Sequence, residues 1–181
     1  MITVRPQKTM NDISRVQNQE QIVNVVNLAR EIWTEHYVCI VGQEQVDYML
    51  GKFQSAGAVA VQLAAGYEYY TVSHDGMIEG YMAIVPDVDK STAQLSKIYV
   101  RRSARGRGCG RAMLEFAESI CRERRIRVLW LTVNKNNSHS LSWYMRMGFK
   151  NVGSTVQDIG GGFVMNDYRM EKTIGQLSPA G

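Results

Sequence analysis

Several ingredients are scarce in this sequence, and each shortage excludes something. Cysteine occurs three times, at Cys39, Cys109 and Cys121, an odd number at spacings that match no disulfide framework and no CxxC pair. That excludes a disulfide-stapled scaffold and points to reduced thiols in a cytoplasmic compartment. Histidine also occurs three times, at His36, His74 and His139, with no HExxH and no His/Cys cluster. No structural or catalytic metal site is expected from such a set. No apolar run approaches the roughly 18 residues of a membrane span. The first residues lack a basic stretch followed by an apolar one, so no secretory signal is read. There is no GxSxG elbow, no Walker A sequence, no internal repeat and no low-complexity stretch.

What remains is an ordinary globular composition: 181 residues, 45% hydrophobic and 21% charged. A chain of this length makes one domain and buries a full core without staples. The formal net charge of +4 is unevenly spread. Between Arg101 and Arg127 there are nine arginines against three glutamates, while the rest of the chain is slightly acidic. The positive charge belongs to one segment, where an anion is expected to bind.

Periodicity organises the chain as α/β. Ile2–Val4 before Arg5-Pro6 reads as a short edge strand, and 7–18 as a loop or a frayed helix start. Ile22, Val25, Val26, Ala29, Ile32 and Trp33 recur at helical spacing and predict a helix over 19–36. Two shorter helices follow, around Val46–Phe53 and Val59–Leu63, the second closed by Gly66. Strands at 67–73 and 77–85 are joined by His74-Asp75-Gly76, a hairpin signal, with Pro86 ending the second. A strand at 94–100 leads into a basic, glycine-rich turn and then a helix to about Arg124. Val128–Val133 is nearly continuous apolar, as for a strand covered on both faces. This strand–helix–strand unit implies a parallel pair. A short helix around Leu141–Met145 ends at Gly148, and two last strands, at 149–158 and 163–172, flank Gly160-Gly161-Gly162. The expectation is a single mixed α/β domain over 1–172, with a sheet of about seven strands flanked by helices and a tail over 173–181.

The strongest local signal is Arg105-Gly106-Arg107-Gly108-Cys109-Gly110, between a strand and a helix. Glycine lets the backbone approach a ligand closely or take positive φ. The helix start adds unpaired N–H donors and the positive dipole end, which suits a diphosphate. A dinucleotide fingerprint fails because Arg111 stands where GxGxxG needs glycine. A solvated basic turn explains the strand, RGxGxG and helix in series poorly. Nucleic-acid binding lacks a nearby aromatic stacking surface and a recognition-helix motif.

At these residues the sequence resembles the GNAT superfamily of acyl-CoA-dependent N-acyltransferases. Arg105, Gly108 and Gly110 fill its Q/R-x-x-G-x-G/A signature. Downstream, Asn137, Tyr144 and Gly148-Phe149 fit its N-x-x-A-x-x-x-Y-x-x-x-G-F element, with Ser140 in place of the alanine. Asp158-Ile159-Gly160 and Phe163-Val164-Met165 loosely resemble a bacterial subgroup that includes polyamine-acetylating members.

The resemblance implies acetyl-CoA as acyl-donor cosubstrate, with no metal. Its diphosphate would be held by the loop Arg105, Gly106, Arg107, Gly108, Cys109, Gly110 and Arg111. The pantetheine arm would run beside Ile98, Tyr99 and Val100, where a backbone N–H would polarise the thioester carbonyl. Asn137 would bond the pantetheine amides, and Tyr144 would be the general acid for the leaving thiolate. Many members place a glutamate on the strand before the signature loop. Here Gln94–Val100 carries no carboxylate, so the base is unassigned, with Glu79, Glu35 and His36 as candidates and a water chain as the alternative. For each of the three, a solvated or hydrogen-bonded surface group is the plainer reading. Cys109 at a helix start would favour a thiolate, but a small tolerated residue is preferred over a nucleophile. Trp33, Tyr37 and Tyr69 could line an acceptor pocket or the core. The implied reaction is acetyl transfer to a primary amine of a small molecule, polyamine-like in one version. The rivals are a peptide or protein N-acetyltransferase and a non-catalytic domain that binds coenzyme A or nucleic acid. The expected partner is an amine, with neither nucleic acid nor membrane, and a homodimer is compatible with the sequence.

Overall fold

Asn18 starts the first helix by a capping box: its side chain accepts from the Gln21 N–H, and the Gln21 side chain accepts from the Asn18 N–H. Two orphan donors are thereby satisfied. The computed structural model describes residues 11–175, so the strand expected at Ile2–Val4 lies outside the described residues. Helix α1 (Gln19–Val41) buries Ile22, Val25, Leu28, Ala29, Ile32 and Trp33 along one stripe. It runs past the expected end at 36, because no breaker occurs before Gly42 (φ 86°). Helices α2 (Gln43–Phe53) and α3 (Ala56–Ala64) follow.

Among the described residues the sheet has seven strands in the order β1-β2-β3-β4-β5-β7-β6. These are β1 (Asp12–Arg15), β2 (Glu68–His74), β3 (Met77–Asp87), β4 (Thr92–Val100), β5 (Val128–Asn134), β6 (Lys150–Gly160) and β7 (Phe163–Thr173). The expected mixed α/β domain is correct. Only β4–β5 is parallel, joined through α4 (Cys109–Glu123), and α5 (Ser138–Arg146) joins β5 to β6. The Asp75-Gly76 turn has positive φ at both residues, as a two-residue hairpin requires.

Four expectations need correction. Asp12–Arg15 is not loop: it pairs antiparallel with Tyr70–Ser73 of β2. Pro86 does not end β3. Pairing with β2 stops at Ile84, so Pro86, opposite Ala93 of β4, has no second ladder to break. β5 is not buried on both faces. Leu129, Leu131 and Val133 are buried and the alternate residues half-buried; it is β3 that buries six successive residues, Glu79–Ile84. The expected boundary at Lys172 falls two residues early, since Ile174 is buried and donates its N–H to the Arg127 carbonyl.

Two cores sandwich the sheet. Tyr81 and Ala83 of β3 face α1–α3 with Ile32, Trp33 and Val59. Met82 and Ile84 face α4 with Met113, Leu114 and Ala117. Strand β4 leaves this regular frame. Its register with β3 slips between Ala83↔Lys97 and Ile84↔Leu95, so Ser96 is an extra residue. Such a bulge bends its strand. The parallel ladder to β5 accordingly spans only Thr92–Gln94 against Val128–Trp130. Beyond Gln94 the two strands diverge, and the β4 edge facing β5 has no ladder partner.

Candidate active site

The wedge between the diverging strands opens into a cavity of about 400 Å³. Its floor is Leu95–Val100 of β4 and Thr132–Asn134 of β5. On the α4 side lies the glycine–arginine loop. Gly106 and Gly108 both have φ 84°, a conformation that suits glycine. Gly108 is the N-cap of α4 and offers no side-chain acceptor. The first-turn N–H groups of Cys109, Gly110 and Arg111 have no intrahelical partner and border the cavity. The Arg105 Nε donates to the Val100 carbonyl at 3.2 Å, tying the loop to the end of β4.

Every expected site residue except Arg107 lines this cavity: Ile98, Tyr99 and Val100 on β4, the loop from Arg105 through Arg111, Asn137 and Tyr144. The basic segment is less free than its charge suggests. Arg101 pairs with Glu31 at 3.0 Å, Arg122 with Glu118, and Arg124 makes a two-pronged pair with Glu68 at 2.7 and 3.0 Å. The first and last of these pairs tie separate elements together and the Arg122 pair lies within α4, which weakens the nucleic-acid reading. Cys109 is buried, and burial raises its thiol pKa, so it is a neutral thiol rather than a stabilised thiolate.

On the α1 side the wall is aromatic. Trp33 and Tyr37 have ring centroids 4.9 Å apart, Trp33 and Tyr99 5.5 Å, Tyr37 and Tyr99 6.2 Å. Tyr69, the third aromatic considered from sequence, is core: it is fully buried, and its hydroxyl donates to Gln62. Burial pushes the Tyr37 hydroxyl up to about 12, partly offset by hydrogen bonds from Tyr99 and Asn137. Burial also raises Tyr144 far above the ordinary tyrosine value, with nearby Tyr37 adding to it. Asn137 is almost fully buried and caps α5 by accepting from the Ser140 N–H. Its Nδ2 lies 3.3 Å from His36 Nε2.

Of the three base candidates, only His36 lines the cavity. Burial, then the Arg105 charge, lowers its pKa below the ordinary value, so it is neutral at pH 7. Glu79 is buried beside Arg101 outside the cavity, and Glu35 is exposed.

Two buried charges escaped the sequence reading. Asp167 of β7 is 3% exposed and lines the cavity. Lys97 of β4 is 7% exposed and also lines it; its ammonium donates to Gln62 Oε1 at 2.8 Å and lies over the Tyr67 and Tyr69 rings. Only a charged residue at an alternating strand position could have hinted at either. Burial lowers the Lys97 pKa to about 8. The unfolded chain binds this proton more tightly, so stability rises with pH between about 8 and the ordinary lysine value near 10.5. Lys97→Met is therefore expected to stabilise the fold at pH 7 by ~1–3 kcal/mol in urea unfolding, the gain vanishing near pH 10.5. Equal stability of the two proteins at pH 7 would contradict a buried charged lysine. Gln62 Oε1 keeps the Tyr69 hydroxyl in the variant.

A glycine–arginine loop at a helix start, beside a splayed parallel pair, thus forms one end of the cavity. Residues 26–149 match the acetyltransferase (GNAT) family, and the chain belongs to that family. It is similar to an uncharacterized N-acetyltransferase in the pepI 3′ region of Lactobacillus delbrueckii subsp. lactis, 26% identical over 84% of this chain and 88% of the relative. It is also similar to the streptothricin acetyltransferase of Streptomyces lavendulae, 32% identical over 45% of this chain and 43% of that one. The crystal structure of the PaiA N-acetyltransferase from Thermoplasma acidophilum in complex with coenzyme A shares the fold. Its TM-score is 0.72 at 23% identity, over 91% of this chain and 99% of that one. The protein is an N-acetyltransferase that uses acetyl-CoA on an amine acceptor.

Proposed function

We propose that the acceptor is a small-molecule primary amine, acetylated by direct attack on the thioester within the wedge-shaped cavity. The observation that carries this reading is the single cavity: it joins the anion loop on the α4 side to an aromatic wall on the α1 side through the gap between β4 and β5. In this reading the coenzyme's diphosphate rests on the N–H groups of Gly108 through Arg111, with Arg105 and Arg111 supplying charge. The pantetheine lies along the free edge of β4. A β4 N–H near Ile98–Val100 stabilises the oxyanion formed on attack. Asn137, already the cap of α5, shapes the wall where the pantetheine amides pass. Tyr144 presents a proton to the departing sulfur. A cavity of this size suits a small amine better than a folded protein surface.

Titration calorimetry with acetyl-CoA tests the donor half. Gly108→Glu places a carboxylate where the diphosphate approaches and is expected to weaken binding by ~100-fold or more, since like charges brought together cost several kcal/mol. Gly108→Ala carries the same backbone strain without the charge and separates the two effects; the Cβ itself meets only the Asn11 amide at 3.5 Å. Unchanged binding by Gly108→Glu would remove the loop from the coenzyme site.

A further inference from the structure

Among the described residues that line the cavity there is one carboxylate, Asp167, against Lys97, Arg105 and Arg111 and two histidines, His36 and His139. The register places this carboxylate on the acceptor side. Asp167 stands directly opposite Asn134 in the β5–β7 ladder, so the two share a face with Thr132. The alternate residues, Leu129, Leu131 and Val133, belong to the core under α4. Asp167 therefore faces away from α4 and the anion loop, toward α1, where its charge is felt by Tyr37. The groups around it are few: Thr132 of β5 is hydrogen-bonded to it, Lys135 follows β5, and Tyr37 faces it from α1. The Lys135 ammonium lies over the Tyr168 ring and makes no ion pair with Asp167. Met49 of α2 and Met165 of β7 complete an apolar surround with Trp33, Tyr37 and Tyr99.

We propose that Asp167 receives the acceptor's ammonium and takes its first proton, and that the acceptor is a monoamine carrying an apolar or aromatic body. The proposal deepens the reading of the same cavity as an acetyltransferase site and rests on it. The Lys135 charge is felt at Asp167 but makes no close ion pair with it, and a buried carboxylate without an ion pair is costly, a cost offset when an ammonium arrives. The aromatic and thioether surround favours an apolar substituent on that amine. A polyamine fits poorly, because a further ammonium group would meet the Lys97 ammonium and no second acid. This runs against the polyamine acceptor suggested by the C-terminal resemblance.

The chemistry balances without an added reagent. The ammonium gives one proton to the Asp167 carboxylate, which later passes it to solvent. The freed nitrogen lone pair forms the N–C bond to the thioester carbonyl. The tetrahedral intermediate collapses with cleavage of the C–S bond, and the second nitrogen proton ends on the sulfur, giving the amide and coenzyme A thiol. Low polarity lowers an ammonium's pKa and raises a carboxyl's. Burial does hold the Asp167 pKa above the usual aspartate value, so the cavity narrows the gap that the first transfer must cross.

The test compares wild type with Asp167→Asn in a thiol-release assay from pH 6 to 9, using phenethylamine, tryptamine and spermidine, with acetyl-CoA affinity measured alongside. Wild type is expected to favour the two monoamines over spermidine by ~10-fold or more in kcat/KM, a charge-pair and desolvation effect. Asp167→Asn is expected to lose ~100-fold or more at pH 7, the scale of general-base catalysis. That loss should shrink toward pH 9, where more of the amine arrives neutral. The acetyl-CoA affinity of Asp167→Asn should match wild type, and its melting temperature should be no lower, since a buried charge has been removed. Turnover by Asp167→Asn equal to wild type, a loss that does not change with pH, a preference for spermidine, or no turnover of either monoamine by a protein that binds acetyl-CoA would each overturn the proposal. Failure of wild type to bind acetyl-CoA would instead overturn the reading of the cavity itself.

Discussion

Tyr144→Phe is expected to lower kcat by ~100–1000-fold while leaving acetyl-CoA affinity intact, the range associated with losing a positioned general acid. The variant isolates one atom. Tyr144 is 9% exposed, and its ring is held edge-on by Trp143 at 5.1 Å and Phe149 at 5.6 Å; phenylalanine keeps both contacts. The backbone around it is also anchored, because the Phe149 N–H donates to the Tyr144 carbonyl. Burial holds the hydroxyl pKa well above the ordinary value, so the group presents a proton at every pH at which the enzyme could be assayed. The loss should therefore be constant from pH 6 to 9, in contrast to the loss expected for Asp167→Asn. Stopped turnover of bound acetyl-CoA and amine, measured as thiol release, reads this directly. Turnover equal to wild type would take Tyr144 out of the reaction, and a loss confined to one end of the pH range would assign the titration to another group.

Gly80→Ala is expected to destabilise the fold by about 3 kcal/mol, toward the upper end of overpacking penalties, or about 6–12 °C in Tm for a domain of this size. Gly80 lies on β3 opposite Val100. A Cβ there would sit 2.6 Å from the Tyr99 carbonyl oxygen, 3.0 Å from Val72 Cγ1 and 3.2 Å from Met113 Cε. The carbonyl belongs to β4 and cannot rotate aside, so the strands must separate. The place matters because β4 ends here: Arg101 donates its N–H to the Glu79 carbonyl, and Arg105 is tied to Val100. Movement of β4 would carry the glycine–arginine loop with it. Weaker acetyl-CoA binding is therefore expected at temperatures where the variant remains folded. A urea midpoint and m-value measured on both proteins settle the stability change; a difference below about 1 kcal/mol would mean that the strands absorb the methyl without strain.

The parts of the site that were legible in the sequence are those built by near neighbours. Helix α4 and its preceding loop were readable because glycines at positive φ, a helix N-terminus and arginines lie within one short segment. Asp75-Gly76 and Asn18 work the same way, through turn and cap geometry that reaches only a few residues. The hairpin and the parallel pair fell where expected. The errors share another cause. Asp12–Arg15 has no strand pattern of its own and becomes β1 because β2 offers it an edge. Pro86 is tolerated because β2 has already ended beside it. β5 reads as doubly buried, yet one of its faces lines the cavity.

Asp167 and Lys97 show the limit most clearly. Each is a charged residue in a strand, and nothing within ten residues distinguishes it from a solvated surface group. Their burial is decided by which helix covers that face and by which strand stands beside it, and those are long-range pairings. The wedge itself arises from one extra residue, Ser96, whose effect appears only when β4 is laid in register with β3. By itself the sequence determined the fold family, the glycine–arginine loop and the helix that carries it, because local backbone geometry is enough for those. The tertiary structure alone decided that the sheet opens after Gln94 and that a single buried carboxylate faces the aromatic wall, because strand register and sheet order bring together residues that are distant along the chain.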